Sequence, residues 1–247
     1  MSILVTGGTK GIGLEIARRF STPGNLVFLN YHSDEVAATA ASEQIERGGA
    51  RCVLIRQDCG TPEGAGQVLE AVARHTSRLD QLVHCALRII ATPLLDVDPH
   101  DFAAALNLNG TALLYLVQAA LPLLGRGSTV FFITSRGGRI VVPNYAAAGV
   151  AKSLGEGLMR YLCVELAPRG IRINSISPAM VNTDAVRQIF GADDAAAMVR
   201  QGAEHNPSGR GIRADDYTSL IEFLASPAAE FIQGQVIFVN GGHNVMG

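Results

Sequence analysis

Lysine is rare in this chain, and its two lysines are the first residues to consider as carriers of chemistry. Of the 20 basic residues, 18 are arginine and only Lys10 and Lys152 are lysine. In a chain that uses arginine almost everywhere, we expect lysine at the positions where arginine could not perform the same function. Genome composition alone could explain the bias, but it does not explain where the two exceptions fall.

Lys10 belongs to a glycine-rich turn. The segment TGGTKGIG over residues 6–13 follows a short apolar run and leads directly into a helical pattern. Its glycines permit a tight turn and a close approach of the backbone to a ligand. The helix that follows presents free N–H groups and the positive end of its dipole to a pyrophosphate. The order of strand, turn and helix predicts a dinucleotide-binding loop, and an ordinary glycine turn is the alternative.

The elements that would position these residues alternate along the whole chain. Short β-branched apolar runs are separated by about six helical patterns, and the runs are continuously hydrophobic, as strands buried on both faces are. Strict alternation favours one parallel sheet with helices on both faces. The sequence therefore predicts an α/β protein, a single Rossmann-type doubly wound domain over residues 1–247. Its seven predicted strands are 3–5, 26–29, 52–55, 81–83, 129–133, 171–176 and 236–239.

One long insertion interrupts the alternation. Residues 181–209, after the sixth predicted strand, are polar and rich in alanine. An insertion beyond the carboxyl end of a strand lies where open α/β sheets bind their ligands. We therefore expect residues 181–209 to form a substrate-binding lid.

Charge and hydropathy exclude several classes of protein. The formal net charge is −2 and neither sign clusters in runs, so nucleic acid is not an expected partner. The most apolar stretch, 111–124, is interrupted by Gln118 and Pro122 and falls short of the ~20 residues needed to cross a bilayer. The N-terminus lacks the basic segment of a signal peptide. These features predict a cytoplasmic protein without a membrane span.

The four cysteines lack the spacing of a metal or disulfide site. Cys52, Cys59, Cys85 and Cys163 form no C-x-x-C pair and lie mostly beside apolar runs. Small buried thiols in a reducing compartment show this pattern. Neither a disulfide nor a metal ion is expected.

The glycine spacing T-G-x-x-x-G-x-G resembles the short-chain dehydrogenase/reductase family, and the resemblance extends over the whole chain. The family's catalytic residues have their counterparts here in the same order: Ser135 at the end of the fifth strand, then Tyr145 and Lys152. Asn107 in the fourth predicted helix completes the set. The resemblance implies a Rossmann-type fold, a nicotinamide dinucleotide cofactor and a homotetramer.

The same resemblance assigns cofactor contacts. Asp58 after the third strand matches the family's adenine-contacting acid, and Ser177-Pro178-Ala179 followed by Thr183 is similar to its nicotinamide-side segment. The expected contacts are Gly7, Thr9, Lys10, Gly11, Ile12, Gly13, Asn30, Asp58, Cys59, Cys85, Ala86, Lys152, Pro178, Val181 and Thr183.

The end of the second strand bears on the choice between NADH and NADPH. An acidic residue there would bind the ribose 2′-OH of NAD, whereas residues 30–33 read Asn-Tyr-His-Ser and offer no carboxylate to repel a 2′-phosphate. Lys10 could pair with that phosphate, or it could simply be solvated. We predict NADPH as the cofactor.

The position of the tyrosine bears on the reaction. Most family members carry Y-x-x-x-K, but Ala148 stands four residues before Lys152 and the tyrosine is Tyr145, which gives Y-x6-K. This spacing is similar to that of the enoyl-acyl carrier protein reductase III branch. A tyrosine three residues earlier in the chain has its hydroxyl displaced by ~4.5 Å along a helix. In conjugate reduction the hydride adds to the β carbon and negative charge collects on a more distant thioester oxygen. A hydroxyl displaced by this distance is suited to stabilise that enolate oxygen. Lys152 would then raise the acidity of the phenol and hold the nicotinamide ribose.

These features predict an NADPH-dependent reductase of an α,β-unsaturated acyl thioester, a substrate that an acyl carrier protein could present. The alternatives are a carbonyl or 3-oxoacyl reductase of secondary metabolism and a dinucleotide-binding regulator without turnover. Ser135 could donate a hydrogen bond to substrate or only cap a strand end. Asn107 is expected to shape its helix and hold a water beside Lys152. The family's usual N-N-A-G reads His-Cys-Ala-Leu at residues 84–87, which leaves the shape of the pocket open.

Overall fold

Seven parallel strands form one sheet in the computed structural model, which describes residues 1–243. Their spatial order is β3-β2-β1-β4-β5-β6-β7. The prediction of a doubly wound parallel sheet is confirmed, and each predicted strand overlaps an observed one. The strands are β1 (Ser2–Thr6), β2 (Leu26–Tyr31), β3 (Arg51–Arg56), β4 (Gln81–His84), β5 (Thr129–Ile133), β6 (Arg172–Pro178) and β7 (Val236–Val239).

Helices cover both faces of the sheet. One hydrophobic core joins the sheet to α3, α5 and α6, and a second joins the other face to α1, α2 and α9. The helices are α1 (Gly11–Arg19), α2 (Glu35–Arg47), α3 (Pro62–Ala73), α4 (Pro99–Leu106), α5 (Ala112–Ala120), α6 (Ala146–Leu166), α7 (Asp184–Phe190), α8 (Ala192–Glu204) and α9 (Ala214–Ala225).

The strand order reverses at β1, which pairs with β2 on one side and β4 on the other. Thr6 at the end of β1 is in register with Asn30 of β2 and His84 of β4. The loops that follow these three strands therefore leave the sheet side by side. In open α/β sheets such a switch point is where ligands bind.

A π-helical turn, Asn107–Thr111, joins α4 to α5 in one continuous helix. By length and hydropathy alone this helix, Pro99–Ala120, could cross a membrane. In the protein it is one layer of the fold, because Leu113 and Leu116 are fully buried in the core that α3 and α6 share with the sheet.

The carboxyl end of α9 is held by an arginine from the sheet. The guanidinium of Arg172 on β6 is buried and donates hydrogen bonds to the carbonyls of Leu224, Ala225, Ser226 and Ala229. These carbonyls lie where a helix has run out of its own donors, and a cation is favoured there by the helix dipole.

Replacing Arg172 by methionine should lower the free energy of unfolding by about 3 kcal/mol, because buried carbonyls lose charged donors. Urea denaturation measures the change. Arg172→Lys should recover part of the loss through one ammonium. Arg47→Met is the control, since Arg47 is exposed and its pair with Glu43 spans 3.9 Å, so it should change stability by less than about 0.5 kcal/mol. Equal effects of Arg172→Met and Arg47→Met would contradict the proposed role of Arg172.

Candidate active site

The carboxyl ends of β1, β4, β5 and β6 open onto one cavity of about 520 Å³. Its lining includes Ile12 from the glycine-rich loop, Cys85 after β4, Ser135 after β5 and Pro178 at the end of β6. The topology therefore brings together segments that lie far apart in the sequence.

The glycine-rich loop has the conformation that the sequence predicts for it. Gly7 and Gly11 have φ of 64° and 50°, in the left-handed region that favours glycine. A Cβ added to Gly13 would lie 2.3 Å from the Gly7 carbonyl oxygen, so α1 can begin this close to β1 only with glycine there. The Thr183 methyl lies over Gly11, which places the start of the predicted lid across the cleft from this loop.

Lys10 is not free at this edge of the site. Its ammonium pairs with the carboxylate of Asp34, which also accepts the Ala37 N–H at 3.0 Å and so caps α2. Hydrogen bonding to Lys10 and to the backbone lowers the pKa of Asp34. The sequence places no carboxylate at residues 30–33, but the structure places Asp34 against Lys10.

Three other residues that the sequence predicts as cofactor contacts, Asn30, Asp58 and Cys59, lie in different environments. Asn30 is buried, and its amide donates to the carbonyls of Ile55 at 3.1 Å and Gln57 at 2.9 Å, so it joins β2 to β3. Asp58 is exposed and accepts the Gly60 N–H at 2.8 Å. Cys59 is buried, which raises the pKa of its thiol to about 12. Their contacts with a cofactor remain predictions.

His84 is the first residue of the segment 84–87, which departs from the family's N-N-A-G. Its hydrogen bonds fix the end of β4. Its Nε2 lies 2.9 Å from the Leu108 carbonyl oxygen, which can only accept, so Nε2 carries the proton. Nδ1 therefore accepts the Thr6 hydroxyl at 2.8 Å. Burial, and then the charge of Lys152, lowers the pKa of His84 to about 3. This neutral histidine ties β1 and β4 to the π-helical turn.

The π-helical turn also presents an asparagine that the sequence analysis did not select. Asn109 is fully buried, and its side chain accepts the Arg88 N–H at 2.7 Å and donates to the Arg88 carbonyl at 2.8 Å. It thereby fixes the loop after β4, where Leu87 lines the cavity. Asn107 is exposed. The Asn-Gly pair two residues beyond Asn107, in an otherwise apolar helix, is the signal that could have identified Asn109.

Lys152 is a buried cation in the second turn of α6. Its Nζ donates to the Ile133 carbonyl at 2.7 Å and lies 4.7 Å from the centre of the Phe132 ring. Burial lowers the pKa of Lys152 to about 8, against the opposing influence of the Glu156 carboxylate. The ammonium is therefore held at the end of β5, beside the cavity it helps to line.

Glu156, one turn beyond Lys152, anchors the loop between β5 and α6. Its buried carboxylate accepts the Thr134 hydroxyl at 2.8 Å and the Arg139 Nε at 3.0 Å. Arg139 also lies over the ring of Phe238 on β7, 5.0 Å from its centre. The segment that carries Ser135 and Tyr145 is thus fixed at Thr134 and again at Arg139.

Ser135 and Tyr145 lie together in this loop. The Ser135 oxygen accepts the Gly137 N–H at 3.1 Å and caps a short 3₁₀ helix, Arg136–Gly138. A Cβ on Gly137 would lie 2.6 Å from the Tyr145 ring, so glycine lets that ring pack against the loop. Burial raises the pKa of Tyr145, and hydrogen bonding with Ser135 opposes the rise. Both roles that the sequence left open for Ser135 are compatible with this geometry.

Position 148, where most family members have tyrosine, holds a buried alanine. Ala148 is 2% exposed and is not part of the cavity wall, whereas Tyr145 is. Among the described residues that line the cavity, Tyr145 is the one tyrosine. Two turns of helix separate it from Lys152, so both side chains lie on the same side of α6.

The remaining cavity wall is formed by α7, α8 and the segment before them. Val186, Ile189, Met198 and Val199 contribute apolar side chains from this part of the chain. In α7 no residue is buried, and in α8 only Ala195 is. Residues of the predicted lid therefore contribute to the cavity wall although few of them are buried.

Comparison with known proteins agrees with this arrangement. Residues 7–244 match the family model described as enoyl-(acyl carrier protein) reductase. The 1-cyclohexenylcarbonyl-CoA reductase of Streptomyces collinus is 27% identical over 98% of this chain and 86% of its own length. The enoyl-[acyl-carrier-protein] reductase (NADH) of Aquifex aeolicus has a TM-score of 0.87 and 26% identity, over 100% of this chain and 97% of that one. The angucycline C-6 ketoreductase LanV with bound NADP has a TM-score of 0.85 and 27% identity, over 98% and 94%.

The fold and the site thus define a dinucleotide-dependent oxidoreductase. The chain belongs to the enoyl-(acyl carrier protein) reductase-like group of the short-chain dehydrogenase/reductase family.

The depressed pKa of Lys152 predicts how affinity for NADPH, the cofactor that the sequence indicates, depends on pH. The ammonium donates more strongly than the amine to ribose hydroxyls, so the dissociation constant should rise as the pH passes about 8. Between pH 8 and 10.5 the unfolded chain binds more protons at this residue than the folded one, so Lys152 by itself makes folding more favourable as the pH rises.

Titration of NADPH fluorescence from pH 7 to 9.5 measures the effect on binding. Lys152→Arg is the control, because its guanidinium stays charged throughout this range, and its affinity should vary much less. An affinity of the unsubstituted protein that stays constant across the range would contradict the assignment.

Proposed function

We propose that this protein reduces the C=C bond of an α,β-unsaturated acyl thioester with NADPH. The position of Tyr145 carries the proposal: the tyrosine at the cavity is seven residues before Lys152, and the usual position is a buried alanine outside the cavity wall. The similarity to an acyl-CoA reductase and to an enoyl-[acyl-carrier-protein] reductase supports the substrate class. NADP in a solved relative supports the cofactor.

The residues present fit a nicotinamide dinucleotide. The turn at Gly7–Gly13 and the start of α1 would hold the pyrophosphate, with Thr183 closing on them from the lid. The ammonium of Lys152 would bind the nicotinamide ribose. Bound NADPH would supply the hydride that adds to the β carbon of the substrate.

The protein's own groups would then stabilise the charge that collects on the thioester oxygen. The Tyr145 hydroxyl would donate a hydrogen bond to that oxygen, and Ser135 would add a second hydroxyl beside it. A raised phenol pKa keeps Tyr145 protonated and able to donate at neutral pH. The apolar walls from residues 181–209 would hold the acyl chain and exclude water, so that this segment acts as the lid.

The role expected of Asn107 is to shape its helix and hold a water beside Lys152. We assign this role to Asn109 instead, because Asn109 is buried and fixes the loop after β4. Asn107 is the alternative. The expected water beside Lys152 would then be held by the backbone of the π-helical turn. The remaining predicted cofactor contacts, Asn30 and Asp58 among them, are part of this proposal.

The proposal includes a homotetramer in the cytoplasm and a substrate carried on coenzyme A or an acyl carrier protein. Val150, Leu154, Tyr161 and Val164 expose an apolar stripe on the outer side of α6, which another subunit would cover. The four cysteines are free, as in a reducing compartment.

Oxidation of NADPH with crotonyl and acetoacetyl thioesters of N-acetylcysteamine tests the reaction. We expect the crotonyl thioester to be reduced faster, because Tyr145 is placed for the more distant oxygen. Tyr145→Phe should lower kcat by ~10²–10³, the usual loss for one oxyanion donor, and leave NADPH binding nearly unchanged. Tyr115→Phe, which alters a tyrosine on α5 outside the cavity wall, should have no effect.

Three outcomes would oppose the proposal in different ways. Faster turnover of the acetoacetyl thioester would identify a carbonyl reductase. Binding of NADPH without turnover of any enoyl or 3-oxoacyl thioester, neutral or anionic, would identify a regulator. Normal turnover by Tyr145→Phe would remove this tyrosine from the mechanism.

The Lys10–Asp34 pair predicts how cofactor preference can be changed. A 2′-phosphate must compete with Asp34 for Lys10. Lys10→Ala should therefore narrow the preference for NADPH over NADH, and Asp34→Asn should widen it several-fold, since asparagine still caps a helix but neither repels phosphate nor holds the lysine. Dissociation constants for both cofactors measure the preference. Equal losses for NADH and NADPH in Lys10→Ala would place Lys10 at the shared pyrophosphate.

A further inference from the structure

The charged side chains among the described residues that line the cavity are all positive. Most of its lining is apolar, and among the described residues that line it the charged ones are Lys152 and Arg136. No aspartate or glutamate belongs to this described lining. Lys152 is engaged with the Ile133 carbonyl, which leaves the Arg136 guanidinium as the cation to be explained.

Arg136 has a fixed backbone and an unengaged side chain. It follows Ser135 directly and begins the 3₁₀ helix, and its carbonyl accepts the N–H groups of Arg139 at 2.9 Å and Ile140 at 3.1 Å. Within residues 1–243 its guanidinium forms no hydrogen bond or ion pair. Arg139, three residues later, is by contrast paired with Glu156. The loop therefore uses one arginine for structure and leaves the other at the cavity.

A half-buried guanidinium without a partner is an unusual feature of an apolar cavity. It cannot lose its proton at any physiological pH, and a charge in such surroundings is unfavourable unless it is paired. Its planar fork of N–H donors matches the oxygens of a carboxylate or phosphate. A bound anion would supply both the missing charge and the missing acceptors.

The cofactor's phosphates do not explain Arg136. The pyrophosphate belongs at the loop after β1, and β4 lies between β1 and β5. Two strand spacings put these loops about 10 Å apart. The 2′-phosphate would lie near Lys10, beyond β1 and further from Arg136. Ser135, the neighbour of Arg136, is instead placed for the reacting end of the substrate.

We propose that Arg136 binds an anionic oxygen group of the substrate, so that the enzyme selects charged acyl thioesters over neutral ones of the same size. The inference rests on the proposed function and narrows its substrate class. The anion has two possible sources with the same chemistry, a carboxylate on the acyl chain or the phosphate of a phosphopantetheine arm.

Binding of saturated thioesters, which cannot be reduced at a C=C bond, tests the inference on the enzyme–NADPH complex. The probes are pentanoyl and glutaryl thioesters of N-acetylcysteamine, which differ by a carboxylate, and pentanoyl 4′-phosphopantetheine, which adds the phosphate. Quenching of NADPH fluorescence gives each dissociation constant. We expect one anionic probe to bind at least about tenfold more tightly than the neutral one, the effect of a charge-assisted hydrogen bond.

The Arg136→Gln variant should lose this advantage, and Arg136→Lys should keep part of it. Arg74→Gln is the matched control, because Arg74 is exposed at the end of α3 and is not part of the cavity wall; its selectivity should not change. Selectivity for glutaryl identifies an acyl carboxylate, and selectivity for phosphopantetheine identifies the carrier arm. Equal affinities for the three probes, or an equal loss for all three in Arg136→Gln, would overturn the inference.

Turnover separates this result from the proposed function. If the unsubstituted enzyme reduces neutral 2-pentenoyl thioester but binds all three probes equally, the function stands and the role of Arg136 is wrong. If no enoyl thioester is reduced while one anionic probe binds selectively through Arg136, the proposed reaction is wrong and the anion site stands.

Discussion

The buried ammonium of Lys152 is the interaction on which the rest of this site depends. A cation in the core is stable only where its surroundings satisfy it, and here the Ile133 carbonyl, the face of Phe132 and the nearby Glu156 do so. Each of these groups has a second role. Ile133 and Phe132 belong to β5, which leads into Ser135, and Glu156 holds the loop that carries Tyr145. The charge and the two hydroxyls are therefore positioned by one set of contacts, and α6 cannot move relative to β5 without breaking them.

The region after β4 shows how a departure from the family pattern is accommodated. A buried histidine requires partners for both ring nitrogens, and His84 finds them in Thr6 and the Leu108 carbonyl. The π-helical turn that offers this carbonyl also presents Asn109 to the loop at Arg88. These bonds connect β1, β4 and the α4–α5 helix beside the cavity. The substitution at position 84 is therefore part of a complete hydrogen-bonded network, and burial together with the charge of Lys152 keeps the imidazole neutral.

Two cations of the proposed site have different surroundings. Beside the glycine-rich loop, outside the cavity wall, Lys10 is paired with Asp34, so a 2′-phosphate bound there would compete with this carboxylate for one lysine. At the substrate end, Arg136 has no matching carboxylate among the residues described. In the first arrangement an incoming anion would have to displace Asp34 from the lysine. The second favours a ligand that brings its own negative charge, because nothing must be displaced.

The sheet, the glycine-rich loop and the order of Ser135, Tyr145 and Lys152 could be predicted from the sequence, because strand hydrophobicity, glycine spacing and helical periodicity are local properties of the chain. It also indicated an oxidoreductase of this family through motifs that keep their order. Which side chains come into contact follows from the folded arrangement of the elements. Asp34 pairs with Lys10, and the Asn30 amide bonds to the carbonyls of Ile55 and Gln57. Asn109 is buried while Asn107 is exposed, and within residues 1–243 Arg139 has an ionic partner but Arg136 has none. Such pairings depend on which elements are adjacent in space. They also form because a buried polar group without a partner is energetically costly. No fixed spacing along the chain indicates either condition.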